Sequence, residues 1–557
     1  MRIRVPVMIQ DPTVSGHAGL ARIVEWPYVE EDTFRDGPAC TRLAIHNRDP
    51  ITGKRQPGVP FVPPSGGRKM GRYRIADKND VYATDFLAVS VFGMVLRTMH
   101  MFEEEDTLGR PLAWAFDGPQ LLVVPCAGNE ANAFYARDSR SLEFFHFEDP
   151  RDPAHRVFTS LSRDIVCHET GHAILDGIAP RLWDAITPQA LALHEAVADL
   201  VAVVMSFRSQ NLCEAILAET KGSIADVGAF SSIGEEFGQA ADNLDCLRDL
   251  RNALRMDQVD HSEPHDLSQV LSAALYKMLI GMHERWWRKL AGDGAPRDFS
   301  VSGKALAIAA NQFKRMIFRA LDYLPPAEVS FADYARAIIA ADQTSHPEDE
   351  DERHFIREEF VHRGIVSAPE ALEVETDVEH AAVKKLDLDA LVRSDEAAEA
   401  FVTRNRDLLR IPNGIPLHVE PRLDVTKLYY HRAGQKRRVR ECLLKVRWMQ
   451  SEPNALGRSW PEEREISVGT TLAIDWRSRR VRAVLTSDRR SRPEEAEAQR
   501  ADRDAILRRL VARKVLRPAT PTRGAAATRL GGGVQADVST GVLRVRSMAR
   551  MLDVPLA

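Results

Sequence analysis

The chain has 557 residues, of which 44% are hydrophobic and 28% charged, and its net charge is −5. This length predicts two or three domains. The composition is that of a soluble globular protein, and the mild charge gives no whole-chain argument for nucleic acid. No run of roughly 20 apolar residues suggests a membrane span, and Met1-Arg2-Ile3-Arg4-Val5-Pro6 opens no apolar stretch of signal-peptide length. A cytoplasmic location is therefore expected. Cys40, Cys126, Cys167, Cys213, Cys246 and Cys442 are scattered without metal-type pairing and read as reduced thiols.

Residues 1–75 mix short β-like runs with turns and are expected to pack on the domain formed by residues 76–366. A helix is predicted from about Asp80 to Glu104, then strands at Leu121–Val124 and Ser141–Phe147. From Ser160 to about Gly364 the pattern is mostly helical, including Leu267–Leu290, Ser302–Leu321 and Phe331–Ala341. Residues 76–366 thus read as one α+β unit, a β-containing lobe followed by a helical lobe. The acidic run Glu348–Glu352 reads as a solvated loop.

Inside this unit stands His168-Glu169-Thr170-Gly171-His172. Histidines four apart share one face of a helix and can grip one metal ion, with the intervening glutamate beside it to act as a base on water. Ile165, Val166, Ala173, Ile174 and Leu175 flank the motif and mark the helix as buried, where unpaired polar groups are costly. A second apolar helix carries Glu195 and Asp199, again four apart. Glu195 is the candidate third ligand and Asp199 a second carboxylate to orient a ligand imidazole. His194 is the rival ligand, about 100° away around the helix.

With these residues the chain resembles the thermolysin-like zinc metallopeptidases. The resemblance covers roughly residues 75–366 and rests on further segments. Asn132-Ala133-Phe134-Tyr135 is similar to the family's substrate-pairing edge strand, which implies substrate contacts for Asn132, Ala133 and Tyr135. Asp245-Cys246-Leu247-Arg248 is similar to the segment in which Arg binds the substrate backbone and Leu lines a side-chain pocket. Asp260 to His265, followed by Ser268 and Tyr276, matches the pattern whose His stabilises the oxyanion. This implies His265 for that role with Asp260 orienting it, and His261 is the local competitor. Trp183 stands where the family often has an oxyanion-binding Tyr, and an indole can donate but not accept. Ile165 is taken with the substrate-binding residues. The resemblance implies one catalytic Zn2+. The family's calcium-binding acidic cluster is not recognisable after Asp199, so calcium is not expected.

Residues 367–516 have a different character. A helix near Ser394–Leu409 leads into strand-like runs at Leu417–Tyr430, Arg440–Met449, Glu465–Asp475 and Arg480–Thr486, an antiparallel meander. A charged helix is predicted next, from about Glu494 to Val515. From Arg422 to Arg517 there are 25 Lys/Arg against 13 Asp/Glu. Such a basic α+β module could bind an acidic protein partner, the acidic face of its own catalytic domain or, with less support, nucleic acid. Residues 517–557 read as a linker-like tail with a final strand at Gly541–Arg546.

The expectation is a zinc endopeptidase acting on a peptide or protein substrate. The alternatives are a zinc exopeptidase, and a regulatory scaffold in which the ion is structural.

Overall fold

The computed structural model describes residues 1–12, 24–49, 52–225, 230–234, 238, 240, 246, 248–292, 299–346, 350–430, 436–516, 535–537 and 541–546. Helices and strands are mixed along the chain, with several separate sheets and two large hydrophobic cores.

Residues 1–75 are woven into the first core. Leu43–Ile45 (β1) pairs in parallel with Leu121–Val124 (β2), and β2 pairs in parallel with Ser141–Phe144 (β4). Ala133–Ala136 (β3) closes the sheet antiparallel to β4, so β3 is an edge strand bonded on one side among the described residues. The strand expected over Ser141–Phe147 breaks at Phe145. Beyond it, His146–Asp149 (β5) pairs with Asp152–Phe158 (β6) as a separate hairpin.

Helix α1, Thr84–Glu103, lies against this β-rich part. The helical part contains α2 (Arg163–Ile178), α3 (Pro188–Ser206), α4 (Gln210–Glu219), α5 (Pro264–Ala291), α6 (Phe299–Tyr323), α7 (Phe331–Ser345) and α8 (Asp351–His362). By length and composition, α1 and α3 are apolar enough to cross a membrane, against the sequence expectation. Buried fractions of 83% and 94% make both of them core helices. Ser162 caps α2, its Oγ accepting from Ile165 N. Gly171 lets α2 and α3 close on each other: a Cβ there would sit 3.1 Å from Ala198 Cα and 3.3 Å from Val201 Cβ. The acidic run is no simple solvated loop. Its described end enters α8, and Glu352 is buried against Arg285 and Gln312; residues 347–349 lie outside the described residues.

The C-terminal module forms the expected meander. Leu423–Tyr430 (β7), Lys436–Pro453 (β8), Glu463–Asp475 (β9) and Val481–Thr486 (β10) pair antiparallel in order. Helix α9, Asp395–Arg404, and helix α10, Pro493–Ala512, belong to the same module. Val542–Arg546 (β11) adds in parallel to the start of β9. The rest of the expected tail, apart from a short strand at Gln535–Asp537 paired with β11, lies outside the described residues.

Strand alternation makes this sheet two-sided. Cys442, Leu444, Val446 and Trp448 face the module's own core, whereas Leu443, Ala473, Ala483 and Leu485 join the core formed by residues 1–366. Many basic residues of the module are satisfied within the chain. Lys427 Nζ lies 2.8 Å from Asp322 Oδ2 with both side chains fully buried, and Arg489 pairs with Asp333 at 2.5 Å. Part of the basic surface thus lies against acidic groups of residues 1–366.

Candidate metal centre

Helices α2 and α3 bring three donor residues to one point. His168 Nε2 and His172 Nε2 are 3.0 Å apart. Glu195 Oε2 lies 3.4 Å from His168 Nε2, and Glu195 Oε1 lies 3.3 Å from His172 Nε2. Nitrogen and oxygen donors about 2.0–2.1 Å from a tetrahedral ion are about 3.3–3.4 Å from each other. Each histidine nitrogen therefore has one Glu195 oxygen at the separation expected of two donors on one zinc ion. His168, Glu169 and His172 are all buried and also lie close enough together to share an ion.

The charges fit a dication too. Glu169, Glu195 and Asp199 are buried, and among the described residues the guanidinium in direct contact with the cluster is that of Arg248. Burial alone would lower the pKa of His168, but its contacts with Asp199 and Glu195 outweigh that and raise it to about 10. The carboxylates thus favour positive charge at the point where an ion would be held. Burial raises the pKa of Glu169, opposed in part by the two histidines. Glu195 is also desolvated, yet His265, His172 and Arg248 together hold its pKa well below the ordinary carboxylate value.

Each candidate ligand histidine has a partner behind it. Asp199 Oδ1 is 3.0 Å from His168 Nδ1, the orienting position expected of it. For His172 the partner is His194, with 3.4 Å between the two Nδ1 atoms and the rings stacked at 27°. Burial pushes the pKa of His194 well below 6.5, so this ring is neutral. The rival ligand therefore stands behind a ligand instead of being one. The sequence signal was its place immediately before Glu195, one helical step off the ligand face.

Arg248 donates from Nη2 to Glu195 Oε2 at 2.9 Å and from Nη1 to Asp199 Oδ1 at 2.5 Å. Two buried carboxylates thus hold the fork, which anchors the candidate third ligand. His265, in the first turn of α5, faces the cluster with Nε2 3.8 Å from Glu195 Oε2. The carboxylate against its Nδ1 is Glu263, at 3.2 Å, and not Asp260. Asp260 instead accepts from Ser262 N and Oγ and pairs with Arg509. Glu263 was legible in the sequence only as the residue before Pro264, the N-cap of α5.

Other expectations are corrected by packing. Tyr135 is a core residue whose hydroxyl donates to Asp176 Oδ2 at 2.8 Å. Ile165 belongs to the core. Trp183 packs edge-on to Tyr135 and His194 with Arg137 over its face. Asn132 and Ala133 begin the open edge of β3, where Asn132 Oδ1 accepts from Ala133 N at 2.8 Å. Cys167 points off the ligand face into the core. Leu247 lies outside the described residues.

No protein-family model matches the chain, and no curated protein matches it.

Proposed function

We propose that this protein is a zinc-dependent endopeptidase of the thermolysin-like kind, with residues 76–366 as its catalytic unit. The observation that carries the reading is the grouping of His168 Nε2, His172 Nε2 and the Glu195 carboxylate, with N–N and nearest N–O separations of 3.0–3.4 Å, beside the buried Glu169. A Zn2+ held there supplies Lewis acidity that polarises a carbonyl and acidifies water.

Glu169 handles the proton. Its raised pKa suits a group that takes a proton from the attacking water and returns it to the leaving amine. His265 faces the cluster from α5 and donates to the developing oxyanion, the stabilisation usually worth most. The free edge of β3, from Asn132 onward, offers backbone groups to an extended peptide. Pairing along an edge strand needs no free substrate terminus, which favours an endopeptidase over an exopeptidase. An ion with only a structural role would need neither a buried Glu169 nor His265.

The test uses the full chain loaded with zinc, a peptide library and mass spectrometry of the products. The wild type is expected to cut internal bonds. Glu169→Gln is expected to retain one zinc and the wild-type melting temperature while losing hydrolysis. Undiminished cleavage by Glu169→Gln overturns the reading.

A further inference from the structure

The segment that carries His265 is held from outside the catalytic unit. Arg509, on α10 of the C-terminal module, donates from Nη1 to Asp260 Oδ2 and to Ser262 Oγ, both at 3.0 Å. Its Nη2 is 3.2 Å from Glu263 Oε2. The other oxygen of that carboxylate, Oε1, lies 3.2 Å from His265 Nδ1. His265 Nε2 is in turn 3.8 Å from Glu195 Oε2. Contacts therefore run from one guanidinium through Glu263 and His265 to a candidate metal ligand.

A second tether runs parallel to the first. His261 Nδ1 lies 2.9 Å from Asp502 Oδ1, and its Nε2 lies 2.7 Å from Met256 O. Asp502 and Arg509 are seven residues apart, two turns of α10, and so share one face of that helix. Gln189, in the first turn of α3, reaches Asp502 Oδ2 at 3.5 Å. The same face of α10 thus touches the helix that carries Glu195 and the segment that carries His265.

We propose that the C-terminal module completes the active site, with Arg509 as a positioning residue that aims His265 through Glu263. The proposal rests on the metallopeptidase reading for its catalytic consequence, and on the contacts above for the clamp itself. The module is then a working part of the catalytic machinery. A guanidinium suits the task because its rigid fork reaches three acceptors at once in a fixed geometry, where an ammonium is a single point charge. Transition-state stabilisation by His265 depends on geometry, and a displacement of about 1 Å can cost about 100-fold in rate.

The experiment compares full-length, zinc-loaded wild type with Arg509→Met, Arg509→Lys and the exposed control Arg508→Met. Four quantities are read: kcat and KM on a cleaved peptide, zinc stoichiometry, and hydrogen exchange of the backbone from Met256 to His265. Arg509→Met is expected to lower kcat about tenfold or more with KM and zinc content unchanged, and to speed exchange across that segment. Arg509→Lys is expected to recover part of both losses, and Arg508→Met to behave as wild type. Wild-type kcat and exchange in Arg509→Met overturn the proposal, as does loss of zinc and fold together. If wild type and Glu169→Gln are equally inactive, the peptidase reading and the catalytic role of the clamp both fall. Faster exchange in Arg509→Met would then still establish the clamp as a tether.

Discussion

Arg248 Nη2 donates to Glu195 Oε2 at 2.9 Å, so the third candidate ligand is held by a guanidinium. The same fork takes Asp199, the partner of His168. Arg248 thus braces both carboxylates. Arg248→Met is expected to leave two buried carboxylates without their cation. Loss of such an orienting group typically costs about 10–100-fold in metal affinity, and breaking a buried pair about 3–5 kcal/mol of stability. Zinc titration against a chelator and urea unfolding measure the two losses; unchanged zinc affinity would sink the bracing role.

His194 makes a second, independent prediction. Its Nδ1 faces His172 Nδ1 at 3.4 Å, while its Nε2 is buried without a hydrogen-bond partner among the described residues. The neutral ring can accept at Nδ1, which leaves His172 Nε2 free to bind an ion. His194→Leu removes that acceptor and is expected to weaken zinc binding about 10–100-fold. His194→Asn places an amide atom at the same δ position and is expected to retain most of the affinity. Equal affinities for the two variants would show that packing alone matters at this position.

The contact between His261 and Asp502 gives the module a pH-dependent attachment. The hydrogen bond to Asp502 raises His261 from 6.5 to about 8, against the opposing effect of burial. The folded state therefore binds this proton more tightly than the unfolded state. The stabilisation is fully present below about pH 6.5 and is lost as pH rises through about 8. The side chain is 34% exposed, so solvent screening reduces the effect to on the order of 1 kcal/mol. Protection factors between Met256 and Glu263, with the intrinsic base-catalysed rate divided out, should fall over that window in wild type, and much less steeply in His261→Gln. A flat wild-type profile would refute the assignment.

Lys445 carries a cost at the interface between the module and the catalytic unit. Burial lowers its pKa from 10.5 to about 8, and Asp322, which pulls the other way, is already shared with Arg110 and Lys427. Between those two values the unfolded chain holds a proton that the folded chain does not, so stability rises with pH. Below about pH 8 the folded protein bears the full cost of a charged, buried amine. Lys445→Met is expected to stabilise the protein at neutral pH by on the order of 2 kcal/mol, with the gain fading above pH 8. Urea midpoints for the two proteins across that range measure it; a constant difference would refute the linkage.

Short-range periodicity made the chemistry legible. His168, Glu169 and His172, and likewise Glu195 and Asp199, are set by the four-residue repeat of a helix, which groups their side chains before any fold is known. The residues read by spacing to a distant partner fared differently. Asp260 and Glu263 both precede His265, and only three-dimensional packing decides which carboxylate reaches the ring. Tyr135 matched a substrate strand in pattern, but the two-residue period of that strand turns its hydroxyl inward to Asp176.

The sequence by itself determined the candidate metal-ligand types, their local geometry, the buried helices that carry them and the antiparallel meander near the C-terminus. All of these depend on residues within a few turns or one hairpin of each other. The tertiary structure alone decided that Arg248 braces Glu195, that His194 backs His172, and that Arg509 reaches Glu263 from a module 246 residues further along the chain (509 against 263). Such pairings depend on which helix faces close together. That is decided by the burial of whole surfaces, which no local pattern encodes.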